Sequence, residues 1–128
     1  LGWNSYALFF NKDEAALNPE VNTFQQWFER TYPGQPINLY AMYSWADDRL
    51  FQQAAESVNG TLNRRTLLAA LDRIKNFDAG GLIAPVSPSA KSGPHCYILW
   101  ELENGGFKRV DDPKTGYRCD GRFLPETS

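Results

Sequence analysis

The chain has 128 residues, the size of one ordinary domain, and its 42% hydrophobic and 22% charged content is that of a folded globular protein rather than a disordered segment. A net charge of −2, with no basic run denser than Arg64-Arg65, supplies no concentrated basic face to displace counterions, so nucleic acid is not expected as a partner. A stretch of about 18 apolar residues, which a membrane-crossing helix needs, does not occur.

At the start, Leu1-Gly2-Trp3-Asn4 lacks the basic and then apolar pattern of a secretory signal. The numbering is therefore expected to begin after a processed segment or inside a longer protein. Residues 6–10 form a short apolar run that reads as a buried strand, and residues 11–14 as the polar start of a loop. Asn18-Pro19-Glu20 offers a cap, a proline at the first helical position and a first-turn carboxylate. Val21, Phe24, Trp27, Phe28 and Thr31 then recur at helical spacing, until Tyr32-Pro33-Gly34 ends the helix.

Residues 37–40 suggest a short strand, followed by a helix over about 42–58. Tyr43, Ala46, Leu50, Ala54 and Val58 lie along one face of that helix, and Asn59-Gly60 stops it. Asn63 caps a third helix whose Leu67, Leu68, Leu71 and Ile74 are expected to face inward, and residues 78–81 break it. Residues 82–86 read as a strand and residues 87–94 as a loop. Residues 97–103 are the strongest strand signal, turned by Asn104-Gly105-Gly106 into residues 107–110 as a β-hairpin. The last few residues, 122–128, are expected to form a mobile tail.

His95 beside Cys96 invites a cysteine-protease or metal reading. Neighbouring residues of a strand point to opposite faces, however, and a nucleophile–base pair must face one another. Zinc would need both cysteines, this histidine and a carboxylate, and no ligand spacing here resembles a zinc module. No catalytic residue, metal ligand or cofactor is expected, and the chain is read as a binding protein rather than an enzyme. Asp47-Asp48 and Asp111-Asp112 are adjacent pairs, which set no separation across a cleft, and the first pair is assigned to the solvent side of a helix. Gly80-Gly81 has no phosphate-loop pattern around it and is read as a turn. Asn59-Gly60-Thr61 matches a glycosylation triplet, a pattern short enough to arise by chance. Cys96 and Cys119 are either two separate thiols or a disulfide, which would stabilise the fold by about 3 kcal/mol and imply an oxidising compartment. Tyr40, Tyr43 and Trp45 cluster where a loop enters the second helix, and either pack in the core or wall a ligand pocket.

Several segments together resemble the C-terminal region of the substrate-binding proteins of branched-chain amino-acid-type ABC transporters, which have the type I periplasmic-binding fold. Residues 18–24, Asn-Pro-Glu-Val-Asn-Thr-Phe, are similar to that family's P-x-x-x-x-F helix. Residues 39–46, Leu-Tyr-Ala-Met-Tyr-Ser-Trp-Ala, resemble its second helix opening. Residues 67–71 followed by 76–82, Asn-Phe-Asp-Ala-Gly-Gly-Leu, resemble its A-L and f-d-G-x-G passage. Residues 97–99 and 105–110 look like its closing strands. The similarity covers about residues 2–121.

What the resemblance implies is an α/β fold forming part of one periplasmic-binding lobe, with three helices, short strands and a C-terminal hairpin. Residues 1–121 would be that part, with hinge crossover segments. The family's members are much longer two-lobed receptors, which close on a small amino-acid-like or carboxylate solute and deliver it to a membrane ABC permease. On this reading Tyr40, Tyr43 and Trp45 are the candidate ligand-binding residues. Export from a bacterial cell, periplasmic or on a lipid-anchored surface, also follows, and with it a Cys96–Cys119 disulfide. The alternative is a ligand-sensing domain of a receptor or regulator with the same fold. A chain holding these residues alone is expected to self-associate through unpaired sheet edges and apolar faces.

Overall fold

The structure, a computed structural model, describes residues 1–111 and 114–120. The expected tail over 122–128 and Asp112 of the second acidic pair lie outside the described residues. The chain forms a small α/β domain. Among the described residues it has four α-helices, α1 (Lys12–Leu17), α2 (Pro19–Thr31), α3 (Leu39–Glu56) and α4 (Arg64–Arg73), and a 3₁₀ turn, Pro88–Ala90. A three-stranded antiparallel sheet has the order β1 (Gly2–Asn4), β2 (Ile98–Glu103), β3 (Gly106–Arg109).

Helix starts follow side-chain caps. The Asn18 carboxamide oxygen accepts from the amides of Glu20 (2.9 Å) and Val21 (3.2 Å), with Pro19 fixing the first helical φ. Asn38 caps α3 by accepting from the Ala41 amide at 3.0 Å, so residues 39 and 40, expected in a strand, are already helical. Asn63 and Thr66 form a reciprocal capping box on α4. α1 stands where a loop was expected. Asn11 accepts from the Asp13 amide at 2.7 Å, and Asp13 and Glu14 place negative charge in the first turn. The helix count is therefore four rather than three.

Val21, Phe24 and Phe28 of α2 pack with Met42, Ala46 and Ala54 of α3 and Ala70 of α4. Ala7 and Phe9 from the N-terminal segment, together with Ile74, Phe77, Ala79 and Leu82, complete this core. Residues 6–10 are buried at Ala7, Leu8 and Phe9 in succession, but do not form a strand. The Phe9 amide turns back to the Ala7 carbonyl at 2.7 Å, leaving two backbone bonds to the 82–86 segment: Ala7 to Leu82 (2.9 Å) and Ala84 to Ser5 (2.7 Å). Residues 82–86 likewise make isolated bridges, Tyr6 with Ile83 and Phe77 with Val86, in place of the expected strand. In α4, Leu68 points outward instead of inward, because the core stripe there runs through Leu67, Ala70 and Leu71.

The expected hairpin forms with a two-residue turn: Gly106, read as part of the turn, pairs with Glu103, and both central residues stand at positive φ, 50° at Asn104 and 77° at Gly105. The inner sheet face carries Ile98, Trp100, Phe107 and Arg109. Trp100 meets Phe107 edge-on at 4.9 Å, and Phe107 meets Phe10 at 5.3 Å. Gly2 sits directly under the Trp100 indole, where any Cβ would collide with the ring. The outer face carries a cross-strand apolar row: Trp3 opposite Leu99, and Val110 bonded to the Leu99 carbonyl at 3.0 Å. Cys96 and Cys119 form a disulfide beside the Tyr97–Arg118 bridge, tying the segment after β3 to the start of β2.

Candidate functional site

The first turns of α3 place the candidate pocket residues, and their angular spacing decides where each one goes. Tyr40 and Tyr43 are three positions apart and share a face, whereas Trp45 follows Tyr43 by about 200° around the helix axis. Tyr40 is 83% exposed and Tyr43 41% exposed. Tyr43 leans edge-on against Tyr6 at 6.1 Å and 77°, and Tyr6 in turn packs on Phe9. The result is an aromatic surface built from the N-terminal segment and the opening of α3. Partial burial, followed by the neighbouring Tyr6 phenol, holds the Tyr43 hydroxyl above its ordinary titration range. It is therefore a neutral hydrogen-bond donor and acceptor beside an apolar ring face.

Trp45 belongs to a different cluster. Its indole N–H donates to Glu20 Oε1 at 2.7 Å, and its ring meets Phe24 at 5.7 Å and 61°. Arg49, one turn later, reaches the same carboxylate at 3.1 Å. Together these contacts clamp α3 to the start of α2. Tyr40 and Tyr43 thus stand together on an open surface, while Trp45 is a packing and anchoring residue at the helix junction.

A second polar centre has no local signature in the sequence. Arg109 on β3 reaches Glu14 on α1 at 3.3 Å and Asp111 at 2.8 Å, and also donates to the Gly116 carbonyl. The side chains of Arg109, Glu14 and Asp111 are 8%, 7% and 0% exposed. Removal from water raises the Glu14 carboxyl above its ordinary value of 4.5. The Arg109 guanidinium opposes that rise incompletely, and the Asp111 charge adds to it. Nearby, the Tyr117 hydroxyl donates to the Gly81 carbonyl at 3.1 Å, and burial together with the Glu14 charge keeps this phenol protonated. The Asn18 amide nitrogen holds the same carbonyl at 3.1 Å. The Gly80-Gly81 turn is thus fixed from two sides, as a structural turn. An open cleft of about 270 Å³ between α1 and β3 is lined by Leu8, Asp13, Glu14, Leu17, Lys108 and Lys114, and carries both charge signs over apolar walls.

Of the other residues weighed in the sequence, Asp47 and Asp48 are exposed on α3. Cys96 is tied in the disulfide, so its sulfur is not a thiolate nucleophile beside the exposed His95. Among the described residues, no three His, Cys, Asp or Glu side chains gather as a metal-ligand group, and no helix is long and apolar enough to cross a membrane. Comparison with protein-family models, with curated proteins and with solved structures finds no match.

Proposed function

We propose that the chain is the C-terminal part of an extracytoplasmic solute-binding component of an ABC transporter, contributing to one lobe of a type I periplasmic-binding fold. The solute is small and amino-acid-like or a carboxylate. It is held in a cleft, passed to a membrane permease, and not chemically changed. What carries this reading is the order of the family-like segments over residues 2–121: the Pro19 helix, the Tyr40–Trp45 opening, the Phe77–Leu82 passage and the closing hairpin. The Tyr40–Tyr43 surface supports it with apolar ring faces and neutral hydroxyls, the mixture that ligand-binding clefts use. The apolar row of Trp3, Leu99 and Val110 suits a unit that packs against further structure. A disulfide is compatible with a location outside the cytoplasm.

The test is a thermal-shift screen of the protein against amino acids, their amides and small carboxylates. A solute at about 100 times its dissociation constant stabilises the native state by about 2.7 kcal/mol, a readily measured shift. A hit that is weakened by Tyr40→Ala, whose own stability should stay within about 0.5 kcal/mol of the parent at so exposed a position, supports the reading. A hit that Tyr40→Ala and Tyr43→Ala leave unchanged removes these residues from the site. Silence across the panel counts against solute binding and favours a protein-binding surface.

A further inference from the structure

The sequence contains two Asn-Gly pairs, Asn59-Gly60 and Asn104-Gly105, and the fold treats them differently. Asparagine before glycine is chemically labile, because no side chain on the following residue shields its backbone nitrogen. That nitrogen, once deprotonated, attacks the asparagine side-chain carbonyl carbon. A five-membered succinimide closes, ammonia leaves, and water opens either ring carbonyl to give aspartate or isoaspartate. Ring closure requires free rotation about the bond joining the asparagine Cα to its carbonyl carbon, and an attacking amide not committed elsewhere.

Asn59 and Gly60 lie in the exposed connection between α3 and α4, and residues 59–63 are exposed throughout. The Gly60 amide makes no backbone hydrogen bond among the described residues. Around both Gly60 and Gly105 no atom beyond the chain neighbours lies within 4 Å of where a Cβ would stand, so the difference between the two pairs lies in the backbone. Asn104-Gly105 instead forms the tight hairpin turn, both residues at positive φ (50° and 77°), flanked by the paired Glu103 and Gly106. The Asn11 carboxamide further pins β3 by donating to the Phe107 carbonyl at 2.7 Å. Rotation at Asn104 therefore requires the hairpin to open first. Asn63, the other asparagine of this loop, is held at its cap by the Thr66 amide at 3.1 Å and precedes the bulky Arg64.

We propose that Asn59 is a spontaneous deamidation site, selected by the open α3–α4 connection, while the hairpin protects Asn104. The reaction needs no enzyme and consumes one water per ammonia released. It adds one negative charge to a chain of formal net charge −2, and its isoaspartyl product inserts a methylene into the backbone just ahead of the α4 cap.

The test ages the folded chain at physiological temperature in mildly alkaline buffer, and follows tryptic peptides 50–64 and 92–108 by mass and by isoaspartate detection. Acid gain in 50–64 is expected at least about tenfold faster than in 92–108, the factor that an opening penalty of about 1.4 kcal/mol imposes. In denaturant the two rates should converge. Equal rates in the folded chain, or a ratio that survives denaturation, would overturn the role given to the fold. Asn59→Gln should abolish the change in 50–64; persistence of that change would move the chemistry to Asn63.

Discussion

The Glu14 carboxylate and the Arg109 guanidinium, far apart in sequence, meet at 3.3 Å with less than a tenth of either side chain exposed. Since burial raises the Glu14 carboxyl above 4.5, the folded state holds this proton more tightly than the unfolded chain does. Between the two values the native state carries the greater number of bound protons, so stability falls as pH rises. Glu14 therefore favours the fold most below 4.5 and progressively less as pH climbs past that value through the folded one. Glu14→Gln should remove this part of the pH dependence and leave stability at neutral pH equal or higher. Denaturant midpoints followed from acid to neutral pH provide the check, and a variant that retains the parent's full slope would show that Glu14 is not its source.

Arg109 is the opposite case. Removing it leaves Glu14 and Asp111 buried beside one another without their shared cation. Loss of one partner from a buried pair costs about 3–5 kcal/mol, so Arg109→Met should be strongly destabilising at neutral pH. Part of the loss should return on acidification, as the Glu14 carboxyl, already raised by burial, takes up its proton. A loss below about 1 kcal/mol at neutral pH would mean that water reaches the cluster and screens it.

Asn18 joins a helix start to a turn. Its oxygen caps α2 while its nitrogen holds the Gly81 carbonyl, and Gly81 itself stands at φ 85° with Asn18 Nδ2 3.0 Å from where a Cβ would lie. Asn18→Ala should cost about 1–2 kcal/mol through the lost cap. Gly81→Ala should cost about 1–2 kcal/mol through its left-handed backbone, in addition to the contact with Asn18. That contact makes the two losses non-additive. In the double variant the alanine at 81 meets no amide at 18, so the combined loss should be smaller than the sum. A double-mutant cycle by urea denaturation measures the coupling, and strict additivity would contradict the shared contact.

Local chemistry was legible wherever a few adjacent residues suffice to decide it. Asn18-Pro19-Glu20 and Asn63 start helices where they were expected to, and Asn104-Gly105 turns the hairpin. The apolar run at residues 6–10 is buried at Ala7, Leu8 and Phe9 but forms no ladder, and residues 82–86, read as a strand, make isolated bridges, because apolar character alone does not specify which backbone groups pair. α1 escaped notice because six residues are too few to display an apolar stripe, and its buried position holds a glutamate. That glutamate is explained by Arg109, and no local pattern links residues so distant in the chain. Trp45 is different: its register relative to Tyr43 already placed it on the far side of the helix, and the angular spacing was the available signal.

The Cys96–Cys119 disulfide fastens the segment after β3 to the start of β2. It closes a loop of 23 residues that contains β2, β3, Arg109 and Tyr117, and its neighbours Tyr97 and Arg118 exchange two backbone hydrogen bonds of 2.9 and 2.8 Å. Chain-entropy reasoning gives about 3–4 kcal/mol for such a loop. A Cys96→Ala/Cys119→Ala chain should lose that amount in urea unfolding. The loss should be accompanied by solvent access to the Tyr117 hydroxyl, since the segment that carries it onto Gly81 loses its covalent tie and then depends on non-covalent contacts such as the Tyr97–Arg118 bridge and the Arg109 bond to the Gly116 carbonyl. Spectrophotometric titration of the phenols separates the two effects. A buried phenol that titrates normally in the double variant places the bond's contribution in the native contacts of Tyr117. Retained protection with the same stability loss places it in the unfolded chain.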